Sequence, residues 1–240
     1  MLLPSGYYPI ETCGVVVHLL AWEDKAVLMD TGLVGEFFLL RKVFKQLGLQ
    51  PGDLKAILLT HGHLDHTGNL HAIQKWSGAP VYAHRDEVRH VRGEYSYEGV
   101  ARWCGRVERV GRFVLRYRPA EIDYFIEDGE ILPFWGGLKV VHLPGHTLGH
   151  CGFYSEKRRV FFTGDLFASY RFSTHVPPPI LNSHPHLIPG SFRRAIDVPA
   201  EMVVPNHYDR RDGHFHLMKL CELSRKMNVC GMKAETLFHG

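Results

Sequence analysis

Thr60-His61-Gly62-His63-Leu64-Asp65-His66-Thr67-Gly68 sets four metal-capable side chains within six positions. On an extended segment residues two apart point to the same side, so His61 and His63 can address one point. Asp65 and His66, entering a helix, can turn toward a neighbouring one. This spacing suits two adjacent metal ions. Imidazole and carboxylate donors favour zinc and also suit iron or manganese. Three histidines and an aspartate at the end of an apolar run are costly to bury without partners, which makes a chance histidine-rich turn the weaker reading. Single residues of the same chemistry recur in the same setting, each just after an apolar run: Pro144-Gly145-His146, Thr163-Gly164-Asp165 and Pro205-Asn206-His207. Each is weak alone; together with His61 to His66 they form a specific set. Water, with a pKa of about 15.7, holds almost no hydroxide at neutral pH, whereas zinc-bound water ionises near pH ~7. A pair of ions can share that hydroxide and polarise the scissile oxygen, and Asp65 and Asp165 can accept the proton.

The elements that must position these residues alternate. Short β-branched runs bounded by turn residues predict strands at 15–20, 25–30, 55–60, 80–83, 138–143, 151–154, 160–163 and 202–205. Three-and-four apolar spacing predicts a helix from Phe37 to Leu47, ended by Gly48. A second, Leu70 to Trp76, is closed by Gly78; a third is capped by Ser191 and runs to Ile196; the last spans His216 to Met227. The chain is therefore of the α/β class. Two face-to-face sheets with helices outside, or one twisted sheet with helices on both faces, would both satisfy this pattern, and periodicity does not choose. Two excursions break the rhythm, at about 85–118 and 168–190. The first carries nine arginines against five acidic residues, with Tyr95, Tyr97 and Trp103 among them. Its plainest reading is a solvated face, and it could also steer an anionic substrate. The second holds five prolines and three histidines in what should be a long loop.

The ordered pattern HxHxDH, then histidine, then aspartate, then histidine resembles the metallo-β-lactamase fold superfamily. The resemblance runs from about Val15 to His207 and includes Asp30 in Leu28-Met29-Asp30-Thr31-Gly32. It implies a four-layer αββα sandwich, with two halves of similar topology and metals at one edge between two sheets. By the same resemblance His61, His63 and His146 bind one metal, Asp65, His66 and His207 bind a second, and Asp165 bridges them. Asp30 would hold a ligand histidine's ring by its other nitrogen. Tyr170, five residues after Asp165, could donate a hydrogen bond to a carbonyl at the metals, as a tyrosine in the family's lactonases does. The implied activity is that of a dinuclear metal-dependent hydrolase, most simply with two Zn2+ (Fe or Mn also fit), using a metal-bound hydroxide on a small ester-like substrate, lactone or thioester. Glyoxalase II proper is disfavoured, because that enzyme carries a helical C-terminal domain and 33 residues follow His207 here. Two alternatives stand beside this reading. One is a persulfide dioxygenase with a single iron on His61, His146 and Asp165; the other is a non-catalytic sensor or binding protein that retains the metal pocket.

The remaining figures bound the answer. At 240 residues a single domain, 1–240, is expected, and 45% hydrophobic with 22% charged residues is an ordinary globular balance. No apolar run reaches the roughly 18–20 residues of a membrane span. Five scattered cysteines, odd in number and never in a CxxC pair, suit a reducing cytoplasm better than a disulfide framework. A formal charge of +3 is weak for a nucleic-acid-binding protein, so a small molecule is the expected partner. Of the 17 histidines, His175, His184 and His186 are left outside the ligand set, and His18, His71, His84, His90, His142, His150, His214, His216 and His239 are read as structural or surface residues.

Overall fold

The computed structural model describes residues 4–95, 97–209 and 212–229; Cys230 and His239 lie outside them. The chain divides into two compact units, Leu2–Ile126 and Glu127–Gly240.

The first unit is built on a six-stranded sheet whose strands lie side by side in chain order: β1 (Tyr7–Glu11), β2 (Val16–Trp22), β3 (Lys25–Met29), β4 (Leu54–Leu58), β5 (Val81–Ala83) and β6 (Tyr124–Phe125). β1 to β3 pair antiparallel, and β3 to β6 pair parallel. Parallel neighbours require crossover connections. These are α1 (Phe37–Leu47) after β3, α2 (Leu64–Thr67) and α3 (Leu70–Ser77) after β4, and α4 (Val88–Val91) and α5 (Arg102–Val114) after β5. The near-continuous apolar runs of β3 and β4 follow from burial on both faces. Leu40 and Phe44 of α1 turn into a core with Leu19, Leu28, Ile57 and Val81, and Phe37 and Phe44 meet Trp76 of α3 edge-on. Gly48 and Gly78 end α1 and α3 at φ 71° and 72°, a left-handed turn that a side chain would disfavour.

The second unit carries β7 (Ile131–Leu132), β8 (Leu138–His142), β9 (Cys151–Ser155), β10 (Val160–Gly164), the short hairpin of β11 (Ala168–Ser169) and β12 (Thr174–His175), α6 (Ile188–Asp197), β13 (Met202–Pro205) and α7 (Gly213–Lys226). Its main sheet has the order β13-β10-β9-β8-β7. β7 to β10 are antiparallel neighbours, and β13 runs parallel to β10. Phe161, Phe167, Phe192, Val203 and Leu220 centre its core. The main strands thus form two separate sheets, which excludes the single-sheet layout.

All eight predicted strands are present within two residues of their expected ends. α6 begins three residues before Ser191, because Pro189 fits a first helical turn and the Ser191 hydroxyl is committed to the Pro144 carbonyl at 2.6 Å. α7 begins at Gly213, where the Asp212 side chain accepts from Phe215 N at 2.8 Å and caps the helix. β1 and α5 were not expected. α5 turns Cys104, Glu108 and Arg112 inward and leaves a row of apolar side chains outward: Trp103 is 60% exposed, Val107 71%, Val110 62% and Phe113 85%. Among the described residues no helix is long and apolar enough to cross a membrane.

Candidate metal centre

Strand direction gathers the chemistry. β3 and β4 are parallel neighbours, so their C-terminal ends, Asp30 and Thr60-His61, lie at one edge of the first sheet, with Asp30 N donating to Leu58 O at 2.9 Å. In the second unit β8, β10 and β13 all run the same way, which brings the turns bearing His146, Asp165 and His207 to one edge of that sheet.

In the first unit Asp30 is fully buried and takes φ 60°, a left-handed conformation that Asp tolerates better than most side chains. Its Oδ1 accepts from Thr60 N at 2.8 Å; its Oδ2 accepts from Thr60 Oγ1 at 2.7 Å and from His66 Nδ1 at 2.9 Å. The Thr60 hydroxyl, having given its proton to Asp30, accepts from His61 Nδ1 at 3.0 Å. Both imidazoles are thereby held as Nδ1–H tautomers, with the lone pair on Nε2. One donor atom of His61 lies within 4.8 Å of one on His63 and one on His66, and His66 has the same relation to Asp65. The loop is clamped from behind. Gly62 N donates to the buried Glu87 at 2.7 Å, Gly62 O accepts from Arg112 at 3.1 Å, and Leu64 N donates to Glu108 at 2.9 Å. A Cβ at Gly62 would collide with that of His90.

In the second unit the Asp165 Oδ2 lies 3.0 Å from His207 Nε2 and 3.6 Å from His146 Nε2, so two imidazoles converge on one carboxylate oxygen. His146 Nδ1 is bonded to Asn182 Oδ1 at 2.9 Å, and Asn182 is anchored in turn by its amide to Pro177 O and Pro178 O. His150, one of the histidines left outside the ligand set, is buried and accepts from Asp165 N at 2.9 Å, a structural role. His216 is likewise buried and bonded to Ser169. Tyr170 follows β11; burial, then the Asp165 and Asp209 carboxylates, push its phenol above the usual tyrosine range. His175 and His186 are exposed.

Each unit therefore brings together the ligand candidates that fall within it, and the imidazole and carboxylate donors suit a divalent metal. Asn182, Glu87, Glu108, Arg112 and Thr60 are the positioning residues that the sequence did not single out. Of these only Thr60, beside His61, carried a local signal. The 85–118 excursion departs from a purely solvated face, since Glu87, Glu108 and Arg112 hold the histidine loop from inside.

Comparison with known proteins gives the family and the fold. Hydroxyacylglutathione hydrolase GloC of Haemophilus influenzae is 34% identical over 152 residues, 61% of this chain and 64% of that one. A probable metallo-hydrolase of Bacillus subtilis, YybB, is 32% identical over 156 residues, 64% of this chain and 62% of its own. The chain thus spans just under two-thirds of the length of these two relatives. Among solved structures, a metallo-beta-lactamase family protein of Thermus thermophilus superposes with a TM-score of 0.74 at 26% identity, over 95% of this chain and 81% of that one. BJP-1, a subclass B3 metallo-beta-lactamase of Bradyrhizobium japonicum, shares the fold at 19% identity, with a TM-score of 0.68 over 100% of this chain and 96% of that one. Residues 10–207 match the pattern of one family throughout, and the chain belongs to the metallo-beta-lactamase superfamily.

Proposed function

We propose that the protein is a metal-dependent hydrolase of small ester-like substrates, lactones or thioesters. In this reading His61, His63, Asp65 and His66 of the first unit and His146, Asp165 and His207 of the second hold two divalent metal ions, zinc ahead of iron or manganese, within one domain, 1–240. The observation that carries it is the fixing of imidazoles by their Nδ1 atoms: His66 by Asp30, His61 by Thr60 and His146 by Asn182. A ligand histidine needs this arrangement, because the atom offered to a metal must carry the lone pair.

Two divalent ions held there would supply acidity for water near neutral pH and charge to polarise a scissile carbonyl. The remaining tasks belong to the chain. Asp65 and Asp165 offset part of the cationic charge and take up the proton released as water adds to the substrate. Tyr170, kept protonated by burial and by two nearby carboxylates, donates a hydrogen bond to the substrate oxygen. A thioester is favoured among ester-like bonds because relatives at 34% and 30% identity are named hydroxyacylglutathione hydrolases. The scattered cysteines suit a cytoplasmic enzyme.

The test is elemental analysis of protein purified without added metal, joined to hydrolysis of a panel of lactones, thioesters and phosphodiesters. Close to two zinc ions per chain with turnover of a lactone or thioester is the expected result. One iron per chain with oxygen uptake on a persulfide would replace this reading with the dioxygenase. Full metal occupancy without turnover of any substrate would leave a binding protein.

A further inference from the structure

α5 and the segment before it enclose a cavity of about 230 Å³ lying wholly in the first unit, with Tyr95, Tyr97, Arg102, Arg106, Arg109 and Arg112 in its wall. Arg112 is its buried cation. The side chain is only 10% exposed, its Nη2 donates to Gly62 O, and its Nη1 is buried with no hydrogen-bond partner among the described residues. Arg102, Arg106 and Arg109 follow the same side of α5 at spacings of four and three, are exposed, and make no ion pair among the described residues. Glu108 is the one carboxylate lining the cavity, and it is occupied: it accepts from Tyr97 Oη at 2.7 Å and from Leu64 N at 2.9 Å, and its Oε2 pairs with Arg112 Nη2 at 3.7 Å. Arg112 and Glu108 thus balance each other, and the excess charge of the wall is that of Arg102, Arg106 and Arg109, with the Arg106 guanidinium lying over the Trp103 ring at 4.7 Å.

The cavity is built, and its walls are fixed. Tyr95 stacks on the buried His90 ring at 3.7 Å, and Tyr97 meets Tyr95 edge-on at 4.9 Å. Gly105 is required for this, since a Cβ there would collide with the Tyr97 ring. The walls are shared with the histidine loop: Tyr97 stacks over His63 at 6.2 Å, and Arg112 and Glu108 bond Gly62 and Leu64. A ligand anchored in the cavity therefore lies against the loop that carries His61 to His66.

We propose that this cavity binds a phosphate or diphosphate group of the substrate, remote from the bond that is cleaved. The inference rests on the hydrolase reading and narrows it to ester-like substrates with a phosphorylated carrier. A carboxylate carries one charge, whereas the excess of guanidinium here matches a multiply charged anion, and the planar fork of arginine fits phosphate oxygens in pairs. The volume lies below the roughly 300–1,000 Å³ of pockets that take a whole drug-sized ligand, so it suits a group and not an entire cofactor.

Calorimetric titration of the metal-loaded protein with inorganic pyrophosphate tests this directly. In Arg106→Gln/Arg109→Gln the affinity should fall on the order of tenfold or more. Arg41→Gln/Arg193→Gln removes the same charge elsewhere and should leave the affinity unchanged. Pyrophosphate binding that persists undiminished in the first variant, or succinate binding as tight as pyrophosphate, would overturn the proposal. A second arm compares S-acetyl-coenzyme A with S-acetyl-N-acetylcysteamine, the same thioester without phosphates. The first should show a KM on the order of tenfold lower, and that advantage should vanish in Arg106→Gln/Arg109→Gln. Equal KM values would defeat the phosphate site while leaving the hydrolase intact. Arginine-dependent pyrophosphate binding without hydrolysis of either thioester would instead defeat the thioester reading and retain the site.

Discussion

Asp30 combines two demands that rarely meet in one residue: a backbone at φ 60° and a carboxylate that accepts three hydrogen bonds without exposure to water. Asn tolerates the backbone nearly as well, so Asp30→Asn separates charge from conformation. The amide must turn an NH2 toward either the Thr60 amide or the pair formed by the Thr60 hydroxyl and His66 Nδ1, and each of these is a donor. We expect metal affinity to fall about 10- to 100-fold, read as metal retained per chain against a competing chelator. Stability should fall by about 1–3 kcal/mol in urea denaturation. Wild-type metal retention in this variant would show that Asp30 does not set the ring of His66. The ligand candidates themselves were legible because few residue types bind metals, and these stand where strands end. Asn182 and Glu87 were not, because they reach His146 and Gly62 across separations of 36 and 25 residues. Nothing local distinguishes an asparagine in a proline-rich loop that orients a histidine from one that merely turns the chain.

Helices and strands differed in how plainly the sequence declared them. The parallel strands are buried on both faces and read as unbroken apolar runs, and α1 and α3 pair a clear stripe with a terminal glycine. α5 inverts that rule. Its inward side is Cys104, Glu108 and Arg112, and its apolar side chains face solvent, so a search for a buried apolar stripe has nothing to find. α2 is short, and its placement depends on what lies behind it. Thr31 N and Thr31 Oγ1 both donate to His66 O, at 2.7 and 2.8 Å, and Asn69 Nδ2 donates to Thr31 O and Leu33 O. Gly68 lets these segments touch: a Cβ there would strike Val34 N and sit 2.7 Å from Gly32 O, both of them backbone atoms that cannot swing away. Gly68→Ala should therefore destabilise the protein by about 1–3 kcal/mol, seen as a lower urea midpoint with an unchanged slope. An unchanged midpoint would mean that α2 can shift off the 32–34 segment without loss.

For the molecule as a whole, the ordered metal-binding pattern carried more information than periodicity. Apolar spacing left one sheet or two open; the resemblance spanning Val15 to His207 pointed to two, and two main sheets are present. Composition predicted little of the surface, because the formal charge of +3 averages over a strongly basic segment and a mixed remainder. The row of Trp103, Val107, Val110 and Phe113 on α5 has a consequence for how copies of the protein behave toward one another in solution. Charge repulsion between copies fades as pH approaches the isoelectric point near 8.6, while the apolar row does not titrate. Static light scattering should show the osmotic second virial coefficient falling between pH 7 and 8.6, and standing higher at every pH in Trp103→Gln/Phe113→Gln. Identical coefficients for the variant and the wild type would show that the row contributes nothing to attraction. In colloidal terms the protein should behave as a weakly charged particle with an adhesive ridge on α5, and its phase boundary in concentrated solution should shift with that ridge and with pH while every copy is still folded.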